Sequence, residues 1–153
     1  MPGAIDARLA ELGETLPDAP APAANYVPWV RSGPLLFVSG QISMDAGGIV
    51  KGLLGADMSV EQGAAAAKLC ALSLLAQARA ACEGDLDRVR RVVKLTAFVN
   101  SAPGFSDQPK VVNGCSDFLV AVFGEAGRHA RSAVGAALPF GAAVEIEAIF
   151  EIA

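Results

Sequence analysis

The chain has 153 residues, room for one domain with its own core, and a net charge of −4 at pH 7 without any long run of lysine or arginine. That balance argues against a nucleic-acid or anionic-membrane surface as its main partner, and no apolar segment approaches the length of a membrane span. Hydrophobic residues make up 53%, but alanine supplies much of that and aromatics only 6%, which points to further burial between subunits.

Residues 1–153 read as a single domain in which 1–24 form an N-terminal helix and a proline-rich extension. Ile5, Leu9 and Leu12 recur at i, i+4 and i+7, predicting a short amphipathic helix over 4–13 that Gly13 stops. Residues 16–22 (LPDAPAP) form a semi-rigid, extended strap. The start of the chain lacks the basic and apolar segments of a secretory signal, so a cytoplasmic protein is expected. Between 26 and 42, two apolar runs flank Ser32-Gly33-Pro34 and predict a β-hairpin. Its second strand opens Leu35-Leu36-Phe37-Val38, a continuous apolar run expected to be buried on both faces. That strand ends in Ser39-Gly40, where main-chain groups can come close to a ligand; an ordinary strand terminus is the alternative. Asp45-Ala46-Gly47-Gly48 is a tight turn without the spacing of a phosphate loop.

Ser59 and Gln62 form a capping box that opens a helix over 59–83, with Gly84 as its stop and Ala65, Leu69, Leu72 and Ala76 as its buried stripe. Residues 90–99 read as a strand with Val93, Leu95, Ala97 and Val99 on one face and Lys94 toward solvent. A second helix covers 105–123 with Pro109 in its first turn, and Asn113 on it reads most simply as a surface amide. Cys70, Cys82 and Cys115 have neither metal-finger spacing nor an even count, so they read as reduced, mostly buried thiols. His129, the one histidine, decorates the turn before the next strand.

In that strand Arg131, Ala133, Gly135 and Ala137 share one side, so a guanidinium heads a row of very small side chains. Its permanent charge and planar fork suit a carboxylate, and a strand-end salt bridge is the alternative. In the last strand Val144, Ile146, Ala148, Phe150 and Ile152 alternate with Glu145, Glu147 and Glu151, giving one apolar and one mostly acidic face. A tight hairpin around Pro139 would bring Arg131 near Phe150 and leave Glu145 roughly 17 Å along the strand. A site using both charges therefore needs a different strand pairing or a neighbouring chain. The element order predicts an α+β sandwich, one sheet with helices packed on a single face.

Arg131-Ser132, the small-residue strand, Leu138-Pro139 and Val144-Glu145-Ile146-Glu147-Ala148-Ile149 resemble the signature of the Rid/YjgF family of enamine/imine deaminases. Ser39-Gly40-Gln41-Ile42 and Tyr26 fit the same pattern, and the likeness runs from about Asn25 to the C-terminus. The resemblance implies the chorismate-mutase-like fold, a mixed sheet with two main helices on one face, and a homotrimer with sites in clefts between subunits. It implies hydrolysis of small enamines and imines of the 2-aminoacrylate type to 2-keto acids and ammonia, without metal or organic cofactor. Carried over residue by residue, Arg131 clamps the substrate carboxylate and Glu145 positions or deprotonates the attacking water. The backbone at Gly40 and Ala133 supplies hydrogen bonds, while Tyr26, Ser39 and Asn113 line the pocket.

Two features depart from the family pattern. Ala133 stands where well-studied deaminases carry a cysteine, and the N-terminal extension marks a separate subgroup. The alternative from another class is a non-catalytic trimer that binds or senses a small carboxylate. A ribonuclease or translation inhibitor, also associated with this family, fits the acidic balance least well.

Overall fold

A computed structural model describes residues 3–153. The capping box forms as its residues dictate: the Ser59 hydroxyl accepts from the Gln62 N–H at 3.2 Å, and the Gln62 side chain accepts from the Ser59 N–H at 2.9 Å. It opens α2 (Val60–Ala81), which packs antiparallel-sheet strands on one side and α3 (Gln108–Phe123) on the other. Pro109 sits in the first turn of α3, where its missing N–H costs nothing. Gly84, with φ of +93°, turns the chain out of α2.

Five strands make one mixed sheet. Across it lie β1 (Trp29–Ser32), β2 (Leu35–Ile42), β7 (Val144–Ile152), β5 (Val89–Val99) and β6 (Ala130–Gly135). A small ribbon of β3 (Met44–Asp45) and β4 (Gly48–Ile49) closes around the expected tight turn. Helices α2 and α3 cover one face of the large sheet, so the architecture is the α+β sandwich that the element order predicts. The apolar side of β7 is wholly buried beneath them, including Val144, Ile146 and Phe150 at 0% exposure. No helix among the described residues is long and apolar enough to cross a membrane.

Four expectations need correction. The last two strands do not form a hairpin: β6 pairs in parallel with β5, and β7 lies antiparallel between β2 and β5. The reason is burial, because the continuous apolar face of β7 suits the sheet centre, while the small side chains of β6 tolerate an edge. Next, the run Leu35-Leu36-Phe37-Val38 is buried on one face only. Leu36 and Val38 lie under α2, but Phe37 is 41% exposed because no layer of this chain covers the second face of the sheet. In β5 the buried set is Val89, Val92, Leu95, Ala97 and Val99; register shifts against β7 on either side of Val92 put Val93 out of phase. On α2, finally, Ala65 is exposed and Leu69 only half-buried. A helix covered on two sides buries a wider arc, here Gly63, Ala66, Ala67, Cys70, Ala71, Leu74, Leu75 and Ala78 as well as Leu72 and Ala76.

The N-terminal segment is tied down at both ends. Helix α1 (Ala4–Glu11) has no side-chain cap of its own; instead the Asp87 carboxylate accepts from the N–H groups of Ala4 and Ile5, both at 2.9 Å. Those two bonds hold the Asp87 carboxyl below the ordinary carboxylate range. Leu9 is buried, and the Arg8 side chain donates to the Ala121 carbonyl of α3 at 2.8 Å. Farther along, the buried Gln77 of α2 donates to the Pro20 carbonyl at 2.6 Å, which fixes the strap.

Small residues let the helices approach closely. A β-carbon on Gly114 of α3 would land on the Ala64 carbonyl of α2. Gly114→Ala should therefore lower stability by about 2–3 kcal/mol through overpacking, read from the urea midpoint at unchanged slope. A variant as stable as the parent would show that the contact is looser than described.

Candidate functional site

Register on β5 decides where the two charges go. Arg131 lies opposite Leu95, which is fully buried under the helices, so its side chain stands on the helix-covered side at the edge of the sheet. Its Nη1 donates to the Ser116 hydroxyl at 3.0 Å and its Nη2 to the Pro109 carbonyl at 3.1 Å. Ser116 is held in turn by His129. The Nδ1 of His129 lies 2.6 Å from the Gly127 carbonyl and so carries the proton, leaving Nε2 to accept from the Ser116 hydroxyl at 2.9 Å. None of the ion pairs among the described residues involves Arg131, and those two bonds leave part of its five-donor fork unused. Beside it runs an open groove of about 280 Å³, lined by Asn113, Ser116, Asp117, Arg128 and His129. The arrangement can hold a carboxylate against the Arg131 guanidinium; the nearby Arg128 is paired with Glu125 at 3.1 Å, and the Asp117 carboxylate also borders the groove.

Glu145 lies opposite Phe98 on β5 and Ile42 on β2, on the side of the sheet away from the helices. A break in register between Val38 and Gln41 lifts Ser39-Gly40 out of regular pairing, and the Glu145 carboxylate folds across Gly40. A β-carbon there would sit 3.0 Å from Glu145 Oε2. The side chain borders a cavity of about 260 Å³ that it shares with Tyr26, Gly40, Gln41 and Phe140. Burial chiefly, and the neighbouring Glu147 charge next, push its carboxyl above the ordinary 4.5. A carboxylate so placed can take up a proton in largely apolar surroundings.

The residues singled out from the sequence thus fall into two groups. Arg131 and Asn113 share the groove; Glu145, Tyr26 and Gly40 share the cavity. By strand spacing the two backbones are roughly 14 Å apart, and the side chains leave opposite faces of the sheet. Ser39 lines neither: its hydroxyl donates to the Val27 carbonyl at 2.7 Å and ties β2 to the segment leading into β1. Ala133 lies opposite Ala97 on the side of the helices and borders neither cavity. Sequence reasoning missed Ser116 and set His129 aside, since only packing of α3 against β6 brings them to Arg131. The thiols are buried, and burial pushes Cys115 up to about 12, which removes it as a nucleophile.

Comparison with known proteins matches this geometry to a family. Residues 6–144 match the family described as "YjgF/chorismate mutase-like, putative endoribonuclease". The protein TCP17 of Trypanosoma cruzi is 56% identical over 98% of this chain and 95% of its own length. The crystal structure of Atu1372 from Agrobacterium tumefaciens superposes with a TM-score of 0.91 at 54% identity, covering 98% of this chain and 93% of that one. A structure from Shewanella oneidensis, described as a "putative endoribonuclease", gives 0.93 at 34% identity over 98% of this chain and all of its own.

Since His129 is the sole histidine, its ring titration is resolved without assignment. Burial lowers its pKa below the ordinary 6.5, the bond to Gly127 opposes this, and the Arg131 charge adds to the lowering. The folded chain therefore binds that proton less readily than the unfolded one. The contribution to stability is complete above pH 6.5 and is lost as pH falls below it, and His129→Asn should flatten that slope. A midpoint at or above 6.5 in the nuclear magnetic resonance titration would contradict the Arg131–Ser116–His129 arrangement.

Proposed function

The chain belongs to the YjgF/chorismate-mutase-like family, and on that premise we propose that it hydrolyses small 2-imino acids to 2-keto acids and ammonia at sites assembled between copies of itself. The observation that carries the reading is the division of one chemistry over two surfaces. A fork suited to a carboxylate stands on one side of the sheet, and a desolvated proton acceptor stands on the other. A single chain cannot apply both to one small molecule, whereas two neighbouring copies can. The uncovered face of the sheet supports such association, because Val30 at 53%, Phe37 at 41% and Val134 at 47% exposure have nothing over them in one chain. A homotrimer is the assembly that this family resemblance favours.

The chemistry asks little of the protein. Arg131 of one copy fixes the substrate carboxylate and turns the imine carbon toward Glu145 of another. A water held by Glu145 adds its oxygen to that carbon while the carboxylate takes its proton. The same proton then goes to the nitrogen, giving a carbinolamine; Glu145 next takes the proton of the new hydroxyl and passes it to the amino nitrogen, so that the C–N bond breaks, ammonia leaves and the keto oxygen forms. Gly40 matters because any larger residue would push the Glu145 carboxylate aside. The competing ribonuclease reading is disfavoured by the net charge of −4.

Imine decay, with 2-iminopropionate made in situ by an amino-acid oxidase, tests this reading. Wild type should accelerate it, and Glu145→Gln should cost about 10²- to 10⁴-fold. Arg131→Ala should lose most of the acceleration, and kcat/KM should rise with pH as Glu145 ionises above 4.5. With its folded pKa raised, ionised Glu145 weakens the fold, so Glu145→Gln should be at least as stable as wild type at pH 7. Keto-acid binding without any acceleration by wild type would favour a non-catalytic carboxylate binder instead.

A further inference from the structure

The cavity beside Glu145 has walls that the proposed reaction on 2-iminopropionate does not use. No lysine, arginine or histidine lines it, so it offers a carboxylate no partner. Apart from Glu145, Gln41 and the Tyr26 hydroxyl its lining is apolar or backbone, with Pro20, Pro22, Tyr26, Met44, Ile49 and Phe140 around the opening. At about 260 Å³ it has far more room than a methyl group fills.

Two of those walls are held in place at some cost. The strap segment is stiffened by its prolines and fixed at Pro20, whose carbonyl accepts from the buried Gln77 at 2.6 Å. Three residues on, the Ala23 N–H donates to the Tyr26 hydroxyl at 3.2 Å. Across the cavity, Phe140 has φ of +59° and ψ of +15°, a left-handed conformation rare for a bulky residue, yet its ring is 61% exposed. The turn that holds it is anchored by the Gly52 N–H, which donates to the Gly141 carbonyl at 3.2 Å. An aromatic ring kept in a strained backbone and left out of the core serves something outside the core.

We propose that the proline strap and Phe140 form a preorganised apolar clamp for the side chain of the substrate, making this protein selective for 2-imino and 2-keto acids with branched or aromatic tails. The inference rests on the reading of Arg131 and Glu145 given above and adds the class of substrate to it. Arg131 takes the carboxylate, Glu145 faces the imine carbon, and the tail fills the space between strap and Phe140. A clamp that is already rigid loses little entropy on closing around it.

Calorimetric titration of the intact protein with pyruvate, 2-oxobutyrate, 4-methyl-2-oxopentanoate and phenylpyruvate tests this without requiring turnover. Each buried methylene should tighten binding by about fourfold, so 4-methyl-2-oxopentanoate should bind at least about tenfold more tightly than pyruvate. Phe140→Ala, and Pro20→Gly combined with Pro22→Gly, should each shrink that ratio toward one. All three positions contribute little to the buried core, and the unfolding midpoint of each variant checks that the fold survives. Equal affinity along the series, or a ratio that both variants leave intact, overturns the clamp. Graded binding with no imine hydrolysis upholds it and removes only the deaminase reading. Failure of every acid to bind, or binding indifferent to Arg131→Ala, overturns both.

Discussion

Burial of one side of β7 is the constraint that the rest of the molecule obeys. Val144, Ile146, Ala148, Phe150 and Ile152 must all leave water together, and only a central strand lying under both large helices allows that. Fully burying each larger side chain contributes about 1.5–3 kcal/mol, which outweighs the edge-strand tolerance of any competing arrangement. Because side chains alternate along a strand, the same placement sends Glu145 and Glu147 to the opposite face. Glu145 is thus positioned by the hydrophobic core, one peptide unit away.

Local chemistry was legible in the letters, and long-range pairing was not. The Ser59 and Gln62 cap, the stops at Gly13 and Gly84, the Ser32-Gly33-Pro34 hairpin and the alternation in β7 each depend on residues within a few positions of one another. The partner of β6 depends instead on β5, 36 positions earlier, and parallel pairing leaves no turn signature to read. The Ser116–His129–Arg131 chain of hydrogen bonds was hidden for the same reason. So was the Asp87 cap on α1, which joins residues 82 and 83 positions apart. The exposure of Phe37 escaped notice because an apolar run reads alike whether one layer or two cover it.

The family resemblance carried the choice of Arg131 and Glu145, and the register adds a physical reason to look beyond one chain. Their side chains leave the sheet in opposite directions, so no rotamer brings them together. Ser39 and Ala133, grouped with them by motif, line neither cavity; Ser39 ties β2 to the segment leading into β1 instead. A motif preserves neighbours along the chain, whereas a site needs neighbours in space.

The central strand is also the last of the five to be synthesised. Until it arrives, β1 and β2 form one ribbon, β5 and β6 another, and neither has a partner along its inner edge. The nascent chain must therefore wait with two open hydrogen-bonding edges and an uncovered helical layer, a state prone to pairing with other chains. Capture of the nine residues of β7 ends that exposure in a single step, so closure of the whole sheet is deferred until that strand is available.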